Sequence, residues 1–496
     1  MKNKLARSTL IITLSEIIYS ISAYIISAVL GRVLGPADYG RLGIIVTLTT
    51  MTIVLIGQSV PMAMSKYLSE IFEKNKKLVP VIKKQTIKIQ IIIVGSVTIL
   101  FFLLAPIIAR MLNDPSLTNL FRLSSLVIPT FAMASFYFYY YTGLHKFKIQ
   151  AFLKTNRGFA RMLFIIGLTL LLAPFGMALK GSIVGYIVAP FTVFLIAYGI
   201  DKFKISKKFK PSLKSDDKVF FDWHRLIKFA WPVTIFLIAY QFLNTIDLYL
   251  VKGIMRSDVQ TGFYNAAYTV GTIPFNLFYA LAVVLLPFIS KTTSAGNKAE
   301  TKKNISQSLR FLVMFLTPVC LLISYFSLPV INIFYSSRYA LSAPVLSIYV
   351  IAEGFLTIFY ILTFILNGAG KVKIPMYASI VGFFLNTFFT YFLIKAYGLI
   401  GAAGGTAFMA FVIMVFILIY VYKEFGYLFP AKSFVKIMSA GAIMYAVSFF
   451  FPRSQWLFIL WAMLLFILYL IILYLFQEIK KEDLLFFKNI LFKKTN

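Results

Sequence analysis

Three carboxylates interrupt apolar stretches of this chain: Glu16, Asp247 and Glu353. At membrane depth an ionisable group is expensive and normally faces a cavity or a partner. There such carboxylates can bind a coupling ion, relay a proton or contact sugar hydroxyls, or they can act as polar contacts between helices. Asn244 shares a helical face with Asp247. Arg110, Arg122 and Lys395 stand at the ends of apolar runs, where long side chains snorkel to the interface. Six aromatics, Phe136 to Tyr141, follow one another; interfacial Tyr and lipid-facing Phe account for most of that composition. The single cysteine, Cys320, sits in an apolar run, and the two histidines, His145 and His224, lie in separate polar segments. This pattern offers no disulfide framework, thiol metal site or histidine-rich metal cluster. It also has no nucleotide-binding loop, so neither ATP hydrolysis nor a bound cofactor is expected.

Membrane helices must position these residues. Of the 496 residues, 60% are hydrophobic and 13% charged, which excludes a water-soluble fold of this length. Fourteen apolar stretches run along the chain, each long enough or nearly so for the ~20 residues that a membrane helix needs. They are continuous rather than alternating, which favours helices over barrel strands. The expected fold is an all-α polytopic membrane protein with about 14 transmembrane helices. Six spans fall between residues 9 and 200, six between 230 and 422, and two between 435 and 477; the fifth is placed at 162–178, after a polar loop at 144–161. The apolar run behind the basic N-terminal start lacks a small-residue cleavage site and reads as the first span.

Charge tests those spans, because Lys and Arg concentrate in cytoplasmic loops. With the N-terminus inside and sides alternating, the cytoplasmic segments hold 39 of the 49 basic residues. The pattern predicts a multi-pass protein of the cell membrane with both termini cytoplasmic. The net charge of +32 is then dispersed over short loops, which suits anionic lipids and leaves no basic domain for a nucleic acid.

The chain also repeats itself. Gly143-Leu144-His145-Lys146-Phe147-Lys148-Ile149 and Gly368-Ala369-Gly370-Lys371-Val372-Lys373-Ile374 share the pattern G-x-x-K-x-K-I at an offset of 225 residues. Tyr39-Gly40 echoes Thr261-Gly262-Phe263-Tyr264, and Phe175-Gly176 with Gly181 and Gly185 echoes Tyr397-Gly398 with Gly401 and Gly405. Six spans separate equivalents, so the halves share one membrane orientation. The expected organisation is a six-helix bundle (1–200), a basic cytoplasmic linker (201–229), a second six-helix bundle (230–422), and two extra helices with a tail (423–496).

The segment Leu30-Gly31-Arg32-Val33-Leu34-Gly35-Pro36-Ala37-Asp38-Tyr39-Gly40 resembles the first outer loop of flippases for polysaccharides and lipid-linked oligosaccharides. These belong to the multidrug/oligosaccharidyl-lipid/polysaccharide exporter superfamily. Leu366-Asn367-Gly368 with Lys371 and Lys373, and Tyr397-Gly398-Leu399-Ile400-Gly401-Ala402-Ala403, fit the same pattern. The resemblance implies a transporter rather than an enzyme, moving a polyprenyl-linked glycan to the outer leaflet by ion-coupled alternating access. It implies a lipid-linked glycan and membrane lipids as partners, with glycan-assembly enzymes as further candidates. By analogy with the lipid II flippases of this superfamily, Asp247, Asn386, Thr390 and Thr406 are sodium-site candidates; protons are the other coupling ion. Hard oxygen donors suit a hard cation, but Thr390 stands where that branch often has a carboxylate, which lowers the charge of the site. Those flippases also carry arginines in the first two spans, whereas this first span has Glu16 and no mid-span arginine, which points away from lipid II. Lys146, Lys148, Lys371 and Lys373 are the head-group candidates, with positive-inside anchoring as their alternative role. The rival functions are a drug/cation antiporter of the same superfamily and a membrane glycan polymerase or ligase. The outer loops, about 3–12 residues by these spans, are too short for the catalytic groups of a polymerase or ligase.

Overall fold

The computed structural model describes residues 2–57, 59–71, 76–209, 222–279, 298–371, 373–426, 431–453 and 456–479. Among them every regular element is helical. Nine helices in this set are long and apolar enough to cross a membrane. Two of these elements are each a pair of helices joined at a kink, and each covers most or all of two expected spans. Lys2–Gly57 (α1) breaks at Gly35, with φ 71°, and Lys373–Phe425 (α14) breaks at Gly398, with φ 60°. Much of the expected linker (210–221), the end of the eighth span (280–289) and the tail (480–496) lie outside the described residues.

Contacts divide the chain into two compact units, Met1–Gly262 and Phe263–Asn496. The first contains α1, Ser59–Ile71 (α2), Leu78–Met111 (α3), Leu117–Ser124 (α4), Val127–Gly143 (α5), Phe147–Arg161 (α6), Gly167–Leu172 (α7), Ala178–Ile200 (α8) and His224–Met255 (α9). Here α6 packs on α1, α5 on α8, and α9 on both α1 and α2. Asp258–Gly271 (α10) begins in this unit and runs into the second. The second unit adds Lys298–Tyr325 (α11), Ser327–Tyr335 (α12), Ser342–Gly368 (α13), α14, Ala431–Ser448 (α15) and Phe458–Leu475 (α16). There α13 packs on α14, and α15 and α16 pack on each other and on α11. Beyond α16, the buried Glu478 takes Arg310 Nε at 2.9 Å, while Tyr469 donates to the Met314 carbonyl at 2.8 Å.

The sequence echoes have structural counterparts. After α5, Lys146 N donates to Tyr141 O and His145 has φ 53°; after α13, Lys371 N donates to Leu366 O and Gly370 has φ 81°. Both are Schellman-type stops, in which a left-handed residue turns the chain and satisfies the last carbonyls. Gly40 and Gly262, equivalent in the repeat, pack backbone to backbone: a Cβ on Gly40 would lie 2.6 Å from Gly262 N, and one on Gly262 would overlap Pro36 O.

The fifth span differs from expectation. The membrane-length helix runs over Phe147–Phe175, passing through a π-helical turn at Met162–Ile166, so residues 147–161 are part of the span rather than a loop. The aromatic run also differs: Phe136, Tyr137, Phe138, Tyr140 and Tyr141 are buried inside the first unit, and Tyr141 donates to Ala197 O at 2.7 Å.

Candidate functional site

Lengthening the fifth span moves three cations into it. Lys154, Arg157 and Arg161 are spaced three and four residues apart on α6 and so share one face. The candidate span of 29 residues is longer than the roughly 20 that cross the hydrocarbon, and the three cations fall in its first half, ahead of its most apolar stretch. Gly158 sits where α6 meets α1; a Cβ there would stand 3.4 Å from Ser22 Oγ and 3.6 Å from the Tyr19 Cα. The close crossing brings all three cations around one ring. Lys154 Nζ lies 5.1 Å from the Tyr19 centroid, and the Arg157 and Arg161 guanidinium carbons lie 5.4 and 4.8 Å from it.

Each cation then has its own surroundings. Lys154 Nζ meets Glu16 Oε1 at 2.5 Å. Arg161 stands against the Tyr186 side chain of α8, which also lines a small cavity with Thr49, Thr50 and Ser124. Arg157 is 5% exposed, stacks over Phe131 at 3.8 Å, and has an Nε without a hydrogen-bond partner among the described residues. Ring faces stabilise a desolvated guanidinium by roughly 2 kcal/mol, less than a carboxylate would, and leave its N–H groups available. The geometry is that of an anion seat: buried donors and fixed positive charge, with aromatic walls that also suit a sugar or lipid.

A second charged cluster lies at one end of the same unit. Arg41 Nε meets Asp258 at 3.0 Å and its other nitrogens approach Asp38 and Asp114 at 3.9 and 3.8 Å. Lys252, 4% exposed on its side chain, pairs with Asp114 at 2.8 Å and with Asp258. Asn113 donates to Gly253 O at 2.9 Å. Burial raises the Asp114 carboxyl, but the Lys252 and Ser116 hydrogen bonds and the charges of Lys252 and Arg41 outweigh it and hold the group below its ordinary value. This network ties α1, the α3–α4 connection, α9 and the start of α10 together.

The other candidate residues fall as follows. Asp247 is fully buried in α9, and its Oδ1 accepts from Leu248 N at 2.8 Å. Glu353, in the second unit, is 3% exposed; Tyr349 donates to its Oε1 at 3.0 Å, and Tyr264 and Tyr268 pack on Tyr349. Thr390 donates to Asn386 Oδ1 at 3.0 Å, and a Cβ on Gly405 would lie 2.6 Å from Thr390 Oγ1, so Asn386, Thr390 and the segment holding Thr406 meet where the two arms of α14 cross. Asp247 belongs to the first unit and these three to the second. Lys146, Lys148, Lys371 and Lys373 are all exposed, and Lys371 approaches Glu424 at 3.4 Å. The α6 cations were absent from the sequence-derived site. The signal for them was the repeat itself, since Lys371-Val372-Lys373-Ile374 leads at once into an apolar helix and its counterpart should do the same.

The family profile described as Polysaccharide biosynthesis protein matches residues 5–293, and that described as MatE matches 232–392. The uncharacterized membrane protein MJ1068 of Methanocaldococcus jannaschii is 28% identical over 33% of this chain and 32% of its own length. The probable low-salt glycan biosynthesis flippase Agl15 of Haloferax volcanii is 24% identical over 43% of this chain and 44% of its own. The chain therefore spans less than half of each of these two curated relatives. Among solved structures, the lipid II flippase MurJ in an inward closed conformation superposes with a TM-score of 0.75 at 18% identity, covering 95% of this chain and 99% of that one. That likeness is one of fold.

Proposed function

We propose a flippase of lipid-linked glycans, from the premise that this chain belongs to the polysaccharide biosynthesis protein family, within the multidrug/oligosaccharidyl-lipid/polysaccharide exporter superfamily. The substrate is a polyprenyl-linked oligosaccharide or polysaccharide repeat unit, moved from the cytoplasmic to the outer leaflet by alternating access. The observation that carries this reading is the α6 face of Lys154, Arg157 and Arg161. Its charge, with Arg157 buried, suits the phosphoryl link of such a substrate, and the rings of Tyr19 and Phe131 beside it suit the glycan and the lipid. Transport needs no covalent step.

The MatE match favours a second reading, a drug/cation antiporter. The same cation face argues against it, since three positive charges repel a cationic cargo. Coupling to sodium ions or protons belongs to the proposal. Glu353 is the buried carboxyl that would carry it in the second unit, with Asn386, Thr390 and Thr406 as oxygen donors there; Glu16 and Asp247 are the candidates in the first. The exposed Lys146, Lys148, Lys371 and Lys373 would meet head groups at the membrane surface. The test is a strain lacking this protein, with its polyprenyl-linked sugars extracted and compared with wild type. Accumulation of a lipid-linked oligosaccharide, reversed by the intact gene, is the expected result. An unchanged pool with new sensitivity to cationic drugs would transfer the assignment to the antiporter.

A further inference from the structure

Three cations and one carboxylate make up the cluster between α6 and α1, which leaves it two positive charges in excess. Among the described residues the Lys154–Glu16 contact is the one ion pair these cations make. Arg157 and Arg161 face rings and hydroxyls instead. Glu16 is also more accessible than Lys154, with 39% of its side chain exposed against 22%, whereas Arg157 is almost wholly buried. A carboxylate at the open edge of a cation cluster can swing away without uncovering buried surface; Arg157, held between Tyr19, Phe131 and Phe138, cannot.

We propose that Glu16 is the internal counter-ion of the α6 cation face and thereby fixes the charge of the head group the face accepts. With Glu16 in place the matching ligand is a dianionic phosphoryl group, such as a diphosphate diester, rather than a singly charged phosphodiester. The reason is the cost of unbalanced charge at low dielectric. A ligand carrying one charge too few leaves a cation uncompensated within the membrane, and one carrying too many leaves an anion so. Either mismatch acts over one helical turn, where charges are poorly screened. Glu16 is thus a specificity residue, and this role rests on the reading of the α6 face as the seat of the substrate's phosphoryl link.

The test uses the full-length protein in detergent and three short-chain probes with the same geranyl group. These are methyl geranyl phosphate with one charge, a methyl geranyl diphosphate diester with two, and geranyl diphosphate with up to three. Wild type is expected to bind the diester on the order of tenfold more tightly than the phosphate. Glu16→Gln raises the excess charge by one and shifts the preference toward geranyl diphosphate. Lys154→Gln lowers it and shifts the preference toward the phosphate. The double variant, Glu16→Gln with Lys154→Gln, restores the excess of two and with it the wild-type order. Glu16→Asp keeps that order as well, and serves as the folded control if Glu16→Gln is poorly made. A preference among probes that all four variants leave unchanged within twofold overturns the counter-ion role alone, with the phosphoryl seat intact. If wild type binds none of the probes, the seat is overturned and Glu16's role with it.

Discussion

The α6 face of the first unit and the start of α14 in the second occupy the same place in the repeat, yet they hold opposite chemistry. At the 225-residue offset Lys154, Arg157 and Arg161 correspond to Ser379, Gly382 and Asn386. Where the first unit has a buried guanidinium among rings, the second has small or neutral polar groups, with Asn386 and Thr390 bonded to each other. A buried charge of the second unit, Glu353 held by Tyr349, is of the other sign. The turns that introduce the two helices are alike in hydrogen bonding, so the frame was kept while its inward face diverged. Under the proposed function the duplicated fold would divide labour: one copy for an anionic cargo, the other for a cation or proton that drives it.

The largest effect should come from the residue that most marks this contrast. Arg157→Ala removes a buried cation whose charge-assisted hydrogen bonds to a ligand are each worth about 1.5–3 kcal/mol, so transport should fall on the order of tenfold to a hundredfold at unchanged protein abundance. Asn386→Ala at the start of α14 should not mimic it in phosphate-probe binding. Equal losses in that assay would erase the proposed division. Next in size, Glu353→Gln should slow transport by about tenfold and leave the remainder insensitive to an imposed sodium or proton gradient. A variant that still responds to the gradient would move coupling away from Glu353.

The Asp114 network should contribute less. A double-mutant cycle between Lys252→Ala and Asp114→Asn, read by thermal unfolding in detergent, is expected to give a coupling of about 1–3 kcal/mol. Because the folded Asp114 carboxyl is held below its ordinary value of 3.8, its contribution is present above that value and is lost as pH falls through the lower folded one. The coupling should hold at about pH 5 and fade only below about pH 4. A coupling already lost at about pH 5 would contradict the pairing. The smallest effect is expected from the exposed lysines. Lys371→Gln with Lys373→Gln, or Lys146→Gln with Lys148→Gln, should change transport by less than about twofold; a larger loss from one pair alone would show that the two turns, so alike in backbone, differ in duty.

Most of the fold was legible because long apolar runs announce helices whatever packs against them. The exception is instructive. Residues 147–161 carry Lys148, Lys154, Arg157 and Arg161, and by hydropathy such a segment is a loop. What surrounds its cations is remote: Tyr19 and Glu16 come from α1 and Phe131 and Phe138 from α5, and the Glu16–Lys154 pair spans 138 positions. No window along the chain contains both the cation and its compensation. Local partners were easier. Asn386 with Thr390, and Tyr349 with Glu353, are each four residues apart on one helix, a spacing that can be read directly. The Lys252–Asp114 pair is as remote as Glu16–Lys154 and equally invisible.

The crossing of Gly40 with Gly262 carries one more consequence. Repeats usually free their copies to drift apart, as the α6 and α14 positions have done. Here Asp258 and Gly262 wall in Gly40, Pro36 walls in Gly262, and neither glycine has room for a methyl group. The crossing is one constraint written twice in the chain: a side chain gained at either glycine meets backbone, of Asp258 and Gly262 in one case and of Pro36 in the other, which no side-chain change can clear.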